Sequence, residues 1–176
     1  MVMFRSLFII TLKYGLLAAL LSLSFIICMY YLGRHPLLVS PFLDFRIPLY
    51  AIFLFFALRE FRDYQQQGVL YFVQGMAGST LLVLWAGVAG ALGLWLFAAA
   101  EGGFVAEYIQ KTMEYLKGFP EEDIQRIGKE VYERNLELLP TTNAAQLASL
   151  YLVQSLVIGL LAGVIMAVML RKQPST

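Results

Sequence analysis

Four long apolar stretches, separated by three polar ones, make up the hydropathy pattern of this chain. The first span is placed at about 13–32. Tyr14 stands at one end and Tyr30 and Tyr31 at the other, where a ring can sit in lipid while its hydroxyl stays wet. The whole run from Ser6 to Leu32 is too long for the core of a signal peptide. Bulky "CMYYLGRHP" follows it instead of a small-residue cleavage pattern, so it reads as an uncleaved span. The third span is placed at about 72–98 and the fourth at about 144–170.

The second span, about 42–61, is the awkward one. Its uninterrupted apolar core, Ile47 to Leu58, falls short of the roughly 20 residues a bilayer needs. An earlier start solves this. Ser40 is a good N-cap and Pro41 a good first helical residue. Asp44 then complements the helix dipole from the first turn, and Arg46 snorkels to the same interface. Pro48 removes the bond to the Asp44 carbonyl, which predicts a kink. A re-entrant half-span is the alternative.

The stretch that follows packs Arg59, Glu60, Arg62 and Asp63 into five positions. It reads as the solvated turn of a helical hairpin rather than an active site. Helix continues to Gln67, about 13 Å beyond Leu58 at 1.5 Å per residue. Arg59 and Asp63 pair at i,i+4 spacing, and Gly68 stops the helix. Between the third and fourth spans lies the one sizeable hydrophilic segment, Glu101 to Pro140, with nine acids and five bases. Its periodicity predicts two amphipathic helices. Phe104, Val105, Tyr108, Ile109, Met113 and Leu116 line the first. Ile124, Ile127, Val131 and Leu138 line the second, opened by Pro120 and interrupted by Asn135. Such stripes must be covered by each other, the membrane surface or a partner chain.

Small residues mark two spans. Gly87, Gly90 and Gly93 recur at spacing three in the third. Gly159 and Gly163 form a GxxxG pair in the fourth, continued by Ala167. Both predict close helix contact, within the chain or between subunits.

Composition fits this picture. Of 176 residues, 60% are hydrophobic and only 14% charged, against about 25% charged in soluble domains. Too few charges remain for a solvated coat, so the partner of this surface is the lipid bilayer. A net charge of +1 without a basic stripe argues against nucleic acid. No cofactor motif is present, and one histidine, His35, argues against a metal site. Cys28, the single cysteine, is read as a buried, inert thiol. The bases bias orientation: Arg5, Lys13, Arg59, Arg62, Arg171 and Lys172 share one side of a four-span layout, and the acidic segment takes the other. The positive-inside rule then puts both termini and the 59–67 turn in the cytoplasm and the acidic helices outside.

The layout resembles the domain-of-unknown-function family numbered 4199, small multi-span proteins of bacterial inner membranes, largely from Bacteroidota. The resemblance rests on "KYGLLAAL", on "FRDYQQQGVLYFVQGMAGS" and on "FVAEYIQKTMEYLKGFPEEDIQRI". Within these, Arg62, Asp63, Gly68, Phe72 and Gly75 stand out as family-like positions. The resemblance implies a four-helix inner-membrane protein and no known activity.

The fold expected is all-α: an integral membrane four-helix bundle with an extramembrane amphipathic hairpin, at about 101–140, between the third and fourth spans. For function, the leading expectation is a structural or accessory subunit that docks a protein partner, or a second copy, through Ile124, Ile127, Val131, Gly159 and Gly163. The rival is a small transporter or channel with a site near Asp44 and Arg46. A wide polar cavity lined by Asp44, Arg46 and Gln154 would favour it. An enzyme ranks last, since no catalytic motif or paired carboxylates appear.

Overall fold

The computed structural model describes residues 2–40 and 43–173, and among these the regular structure is helical, with no strand. Three helices are long and apolar enough to cross a membrane. They are α1 (Val2–Tyr31), α3 (Phe72–Ala100) and the last helix, Ala144–Leu170. Each runs about 40–45 Å at 1.5 Å per residue, the thickness of a bilayer with its headgroups. Between them come α2 (Arg46–Glu60) and three arm helices, α4 (Gly102–Lys117), α5 (Glu121–Ile127) and α6 (Lys129–Leu138), so that the last helix is α7.

Helix α3 is the centre of the bundle, packed by α1, α7 and α2. Its small residues explain why. A Cβ on Gly75 would lie 3.0 Å from the Ala167 Cβ, and one on Gly87 would lie 3.1 Å from a Leu152 methyl. Backbones this close leave no room for a side chain. The glycines at spacing three do not form one stripe. Gly87 and Gly90 face α7, whereas Gly93 faces Leu23 of α1, because three residues fall short of a full turn. The pair in α7 answers the same surface. Gly159 meets Val83, whose methyls would lie 2.5 and 2.6 Å from an added Cβ, and Gly163 meets Ser79. Both contacts lie within one chain. Asn143 caps α7 reciprocally: its side chain accepts from the Gln146 amide, and the Gln146 side chain accepts from the Asn143 amide.

Several expectations change. The first helix runs from Val2, so it extends N-terminal to the span placed at about 13–32. The second starts at Arg46, six residues after the proposed Ser40 cap; Pro41 lies outside the described residues. Pro48 therefore falls in the first turn, where an amide has no intrahelical partner to lose, and the Asp44 carbonyl accepts from Ile47 instead. At 15 residues, about 22 Å, α2 is too short to span a bilayer. Its C-terminal extension is a π-helical turn, Phe61–Gln65, with Phe61 fully buried. Gly68, at φ +82°, then reverses the chain and donates its amide to the Arg62 carbonyl. Leu70 and Lys172 exchange two backbone hydrogen bonds, tying this turn to the end of α7. Cys28 is exposed on the outer face of α1 rather than buried.

The arm has three helices, not two. Gly128, at φ +96°, breaks the second amphipathic stretch. Ile124 and Ile127 therefore sit on a different helix from Val131 and Leu138, and the four do not form one continuous face. Helix α4 is fixed to the bundle. Phe104 is fully buried among Tyr30, Phe97 and His35, and Lys111 donates to the Gly33 carbonyl.

Candidate functional site

The positions of Asp44 and Arg46 follow from the short second helix. After Tyr31 the chain turns at the arm end of the bundle, where His35 contacts the Phe104 carbonyl. It then descends to Phe45, whose ring packs on Phe25 of α1. Helix α2 thus begins part-way down the bundle and carries its first residues inward.

Arg46 is 4% exposed and does not snorkel. Its Nε donates to Asp44 Oδ1 and Oδ2 at 2.9 and 3.0 Å, and Nη2 donates to Asp44 Oδ2. Nη2 also reaches Gln154 Oε1 at 2.8 Å. Nη1 reaches Ser155 Oγ at 3.1 Å and the Tyr151 carbonyl at 3.3 Å. The guanidinium lies over the Tyr151 ring, 4.8 Å from its centroid. All five guanidinium N–H groups are therefore engaged. Asp44 also accepts from the Arg46 amide, which secures the start of α2. Around the pair, Ser22 and Tyr151 share a buried hydrogen bond of 2.7 Å. Tyr50, one turn further along α2, is fully buried, and its hydroxyl has no partner at bonding geometry.

The height of this cluster can be read from α3. A Cβ on Gly90 would touch the Tyr151 hydroxyl, and one on Gly87 would lie 3.8 Å from the Ser155 Cβ. Both glycines are within about one turn of Ala86, the midpoint of α3. The charge pair thus sits near mid-height of the three apolar helices. An isolated charge there would be costly, and pairing with full hydrogen bonding is what makes it tolerable. Sequence reasoning named Asp44, Arg46 and Gln154 but put the charges at an interface. It missed Ser22, Tyr151 and Ser155. Periodicity cannot bring α1 and α7 to the same point.

A cavity of about 210 Å³ opens beside the pair, lined by Pro36, Leu37, Val39, Val153, Gln154 and Ile158 among others. It is neither wide nor mainly polar. Along the core toward the 61–71 turn, Leu54, Leu58, Leu82 and Val83 are fully or almost fully buried and close the path with apolar side chains.

The other expected positions are elsewhere. Arg59, Arg62 and Asp63 lie at the far end of α2. Arg62 Nε donates to Asp63 at 2.7 Å and Arg59 Nε at 3.4 Å. The Arg62 side chain beside Asp63 holds its carboxyl below the usual range. Gly68 turns the chain there, and Gly75 is a packing point against Ala167. In the arm, Ile127 and Val131 are about half exposed and Ile124 is half-buried. A groove of about 440 Å³ separates α4 and α6 from the start of α7, lined by Tyr108, Thr112, Asn135, Leu138, Gln146 and Leu150 among others. Among the described residues, no three His, Cys, Asp or Glu side chains converge as metal ligands would.

The fold and this cluster define a class: an all-helical protein whose three membrane-capable helices enclose a neutralised charge pair. The chain belongs to the family described as Protein of unknown function (DUF4199), whose sequence model matches residues 13–172. No curated protein and no solved structure matches it.

Proposed function

We propose that the chain is a multi-pass protein of the bacterial inner membrane that acts as a non-enzymatic accessory subunit, docking a protein partner through the outer half of its arm. Four passes cross the bilayer. Helix α2 supplies the inner half of the second. Both termini and the 61–71 turn face the cytoplasm, and the arm faces outward, in accord with the distribution of bases.

The observation that carries the docking reading is the contrast within the arm. Helix α4 is anchored through buried Phe104, while α5 and α6 present Ile127, Val131 and Leu138 at 47%, 51% and 54% exposure. These are the apolar side chains of the arm that the bundle leaves uncovered, and a partner seated there would gain the area they bury. Replacing Ile127 and Val131 by Ser tests it. Chains that co-purify with the parent in gentle detergent should be lost while the melting temperature of the bundle holds. Recovery of the same chains at the same yield would count against the reading. Orientation is tested separately. A cysteine at Gln66 should react with a membrane-impermeant thiol reagent only in opened cells, and one at Glu122 in intact spheroplasts. Both are placed in a Cys28→Ser background.

The transporter reading has one specific observation in its favour, the charge pair at mid-height beside a cavity, since embedded charges often mark transport sites. Against it stand the fully engaged guanidinium and the apolar closure below. Ion or solute flux in proteoliposomes that disappears in Asp44→Asn would favour it.

A further inference from the structure

We infer that the end of the bundle carrying the 61–71 turn is a binding surface for the headgroups of anionic phospholipids. The inference rests on the membrane reading but not on any docking partner. Six bases gather at this end: Arg5, Lys13, Arg59, Arg62, Arg171 and Lys172. Only two acids accompany them. Glu60 accepts from Lys13 at 2.8 and 2.9 Å, and Asp63 is shared by Arg59 and Arg62. The surplus is four positive charges. Arg5, Arg171 and Lys172 have no acidic partner among the described residues. The arm end is the reverse: nine acids face the arm's five bases and Arg34, while Asp44 and Arg46 cancel, leaving three negative charges.

Charge alone would not define a surface; here the bases are mounted on fixed backbone. The paired hydrogen bonds between Leu70 and Lys172, at 2.9 and 3.0 Å, hold the end of α7 beside the turn. Leu70 is fully buried, and the Gly68 and Val69 amides bond back to Arg62 and Gln66. Beside the bases stand exposed aromatic rings: Tyr64 at 82%, Tyr71 at 49% and Phe72 at 39%. The two tyrosines are amphipathic rings of the kind the headgroup layer of a bilayer selects, and Phe72 adds apolar surface beside them. A phosphate diester supplies the anion that three unpaired bases lack, and its glycerol and upper chain supply the apolar layer the rings need.

The test uses the full chain in nanodiscs of phosphatidylcholine, alone or with a rising fraction of phosphatidylglycerol. Bound lipids are counted by native mass spectrometry and melting temperature is followed. The parent should retain phosphatidylglycerol preferentially, melt higher as its fraction rises, and lose both effects in high salt. Arg171→Gln with Lys172→Gln should cut the preference by about fivefold per base removed. The bridge to Leu70 is backbone and survives this change. Lys117→Gln with Arg126→Gln, at the arm end, should change nothing. No preference in the parent, or equal loss in the arm-end variant, overturns the inference. So does an equal rise in melting temperature from inorganic phosphate in phosphatidylcholine discs, which would reveal a site for the free ion. A chain that fails to insert into discs at all sinks the membrane reading and this inference with it.

Discussion

Helix α2 carries an ion pair at each end, and the two have opposite fates. At its start, Asp44 and Arg46 are two residues apart, with side chains 10% and 5% exposed. At its end, Arg59 and Asp63 are four residues apart, 56% and 36% exposed. The residue types are the same. What differs is the surroundings: α7 supplies Tyr151, Gln154 and Ser155 to the first pair, whereas the second is joined by Arg62 and the Phe55 ring of its own helical run. An exposed pair adds about 0–1 kcal/mol. A buried one is costly to break because the survivor is left charged in an apolar medium. The chain uses the first pair to start a helix inside the bundle and the second to end it outside.

Breaking the buried pair should give the largest effect. Arg46→Met leaves Asp44 without its guanidinium and should cost about 3–5 kcal/mol, seen as a lowered melting temperature in detergent. Arg46→Met with Asp44→Leu should recover much of it, because no charge is then stranded. Recovery that fails would mean the pair does more than cancel itself.

Gly159→Leu comes next. It drives a side chain into Val83 and should cost about 1–3 kcal/mol. An unchanged melting temperature would show that α3 and α7 do not lock the frame around Arg46.

Acid should act through His35, in the segment that delivers Asp44. Burial lowers its pKa from 6.5 to about 4, partly offset by the bond to the Phe104 carbonyl. With Nε2 on that carbonyl, Nδ1 is buried and has no partner, so a second proton has nothing to bond to. Between pH 6.5 and 4 the unfolded chain binds a proton that the folded chain refuses. Stability therefore falls as pH drops through that window, by about 2 kcal/mol at pH 5. His35→Gln should abolish this part of the pH dependence, and its persistence would place the acid sensitivity elsewhere.

The exposed pair should matter least. Asp63→Asn is expected to change stability by less than about 1 kcal/mol. Its carboxyl is held below the usual 3.8, so what it contributes is present above that value and is lost as pH falls through the lower folded value. A loss as large as that of Arg46→Met would erase the contrast between the two ends.

The three long helices, the Gly68 stop, the Arg59–Asp63 pair and the end of α7 at Leu170 are legible in the chain alone. Each depends on neighbours within a few residues: unbroken apolar length, a glycine at positive φ, i,i+4 spacing. The sequence also points to Asp44 and Arg46, because charge is conspicuous in an apolar chain. Their depth is set by the packing of distant helices. Ser40 and Pro41 are strong local start signals, yet α2 begins at Arg46, where α7 offers acceptors to three of the guanidinium protons and Asp44 takes the other two. Burial of Arg46 is worth having only if residues more than 100 positions away arrive at the same point, and no local pattern carries that. The broken arm has the same lesson on a smaller scale. Ile127 and Val131 are spaced for one helix, but Gly128 between them takes φ +96°, and the periodic stripe is divided.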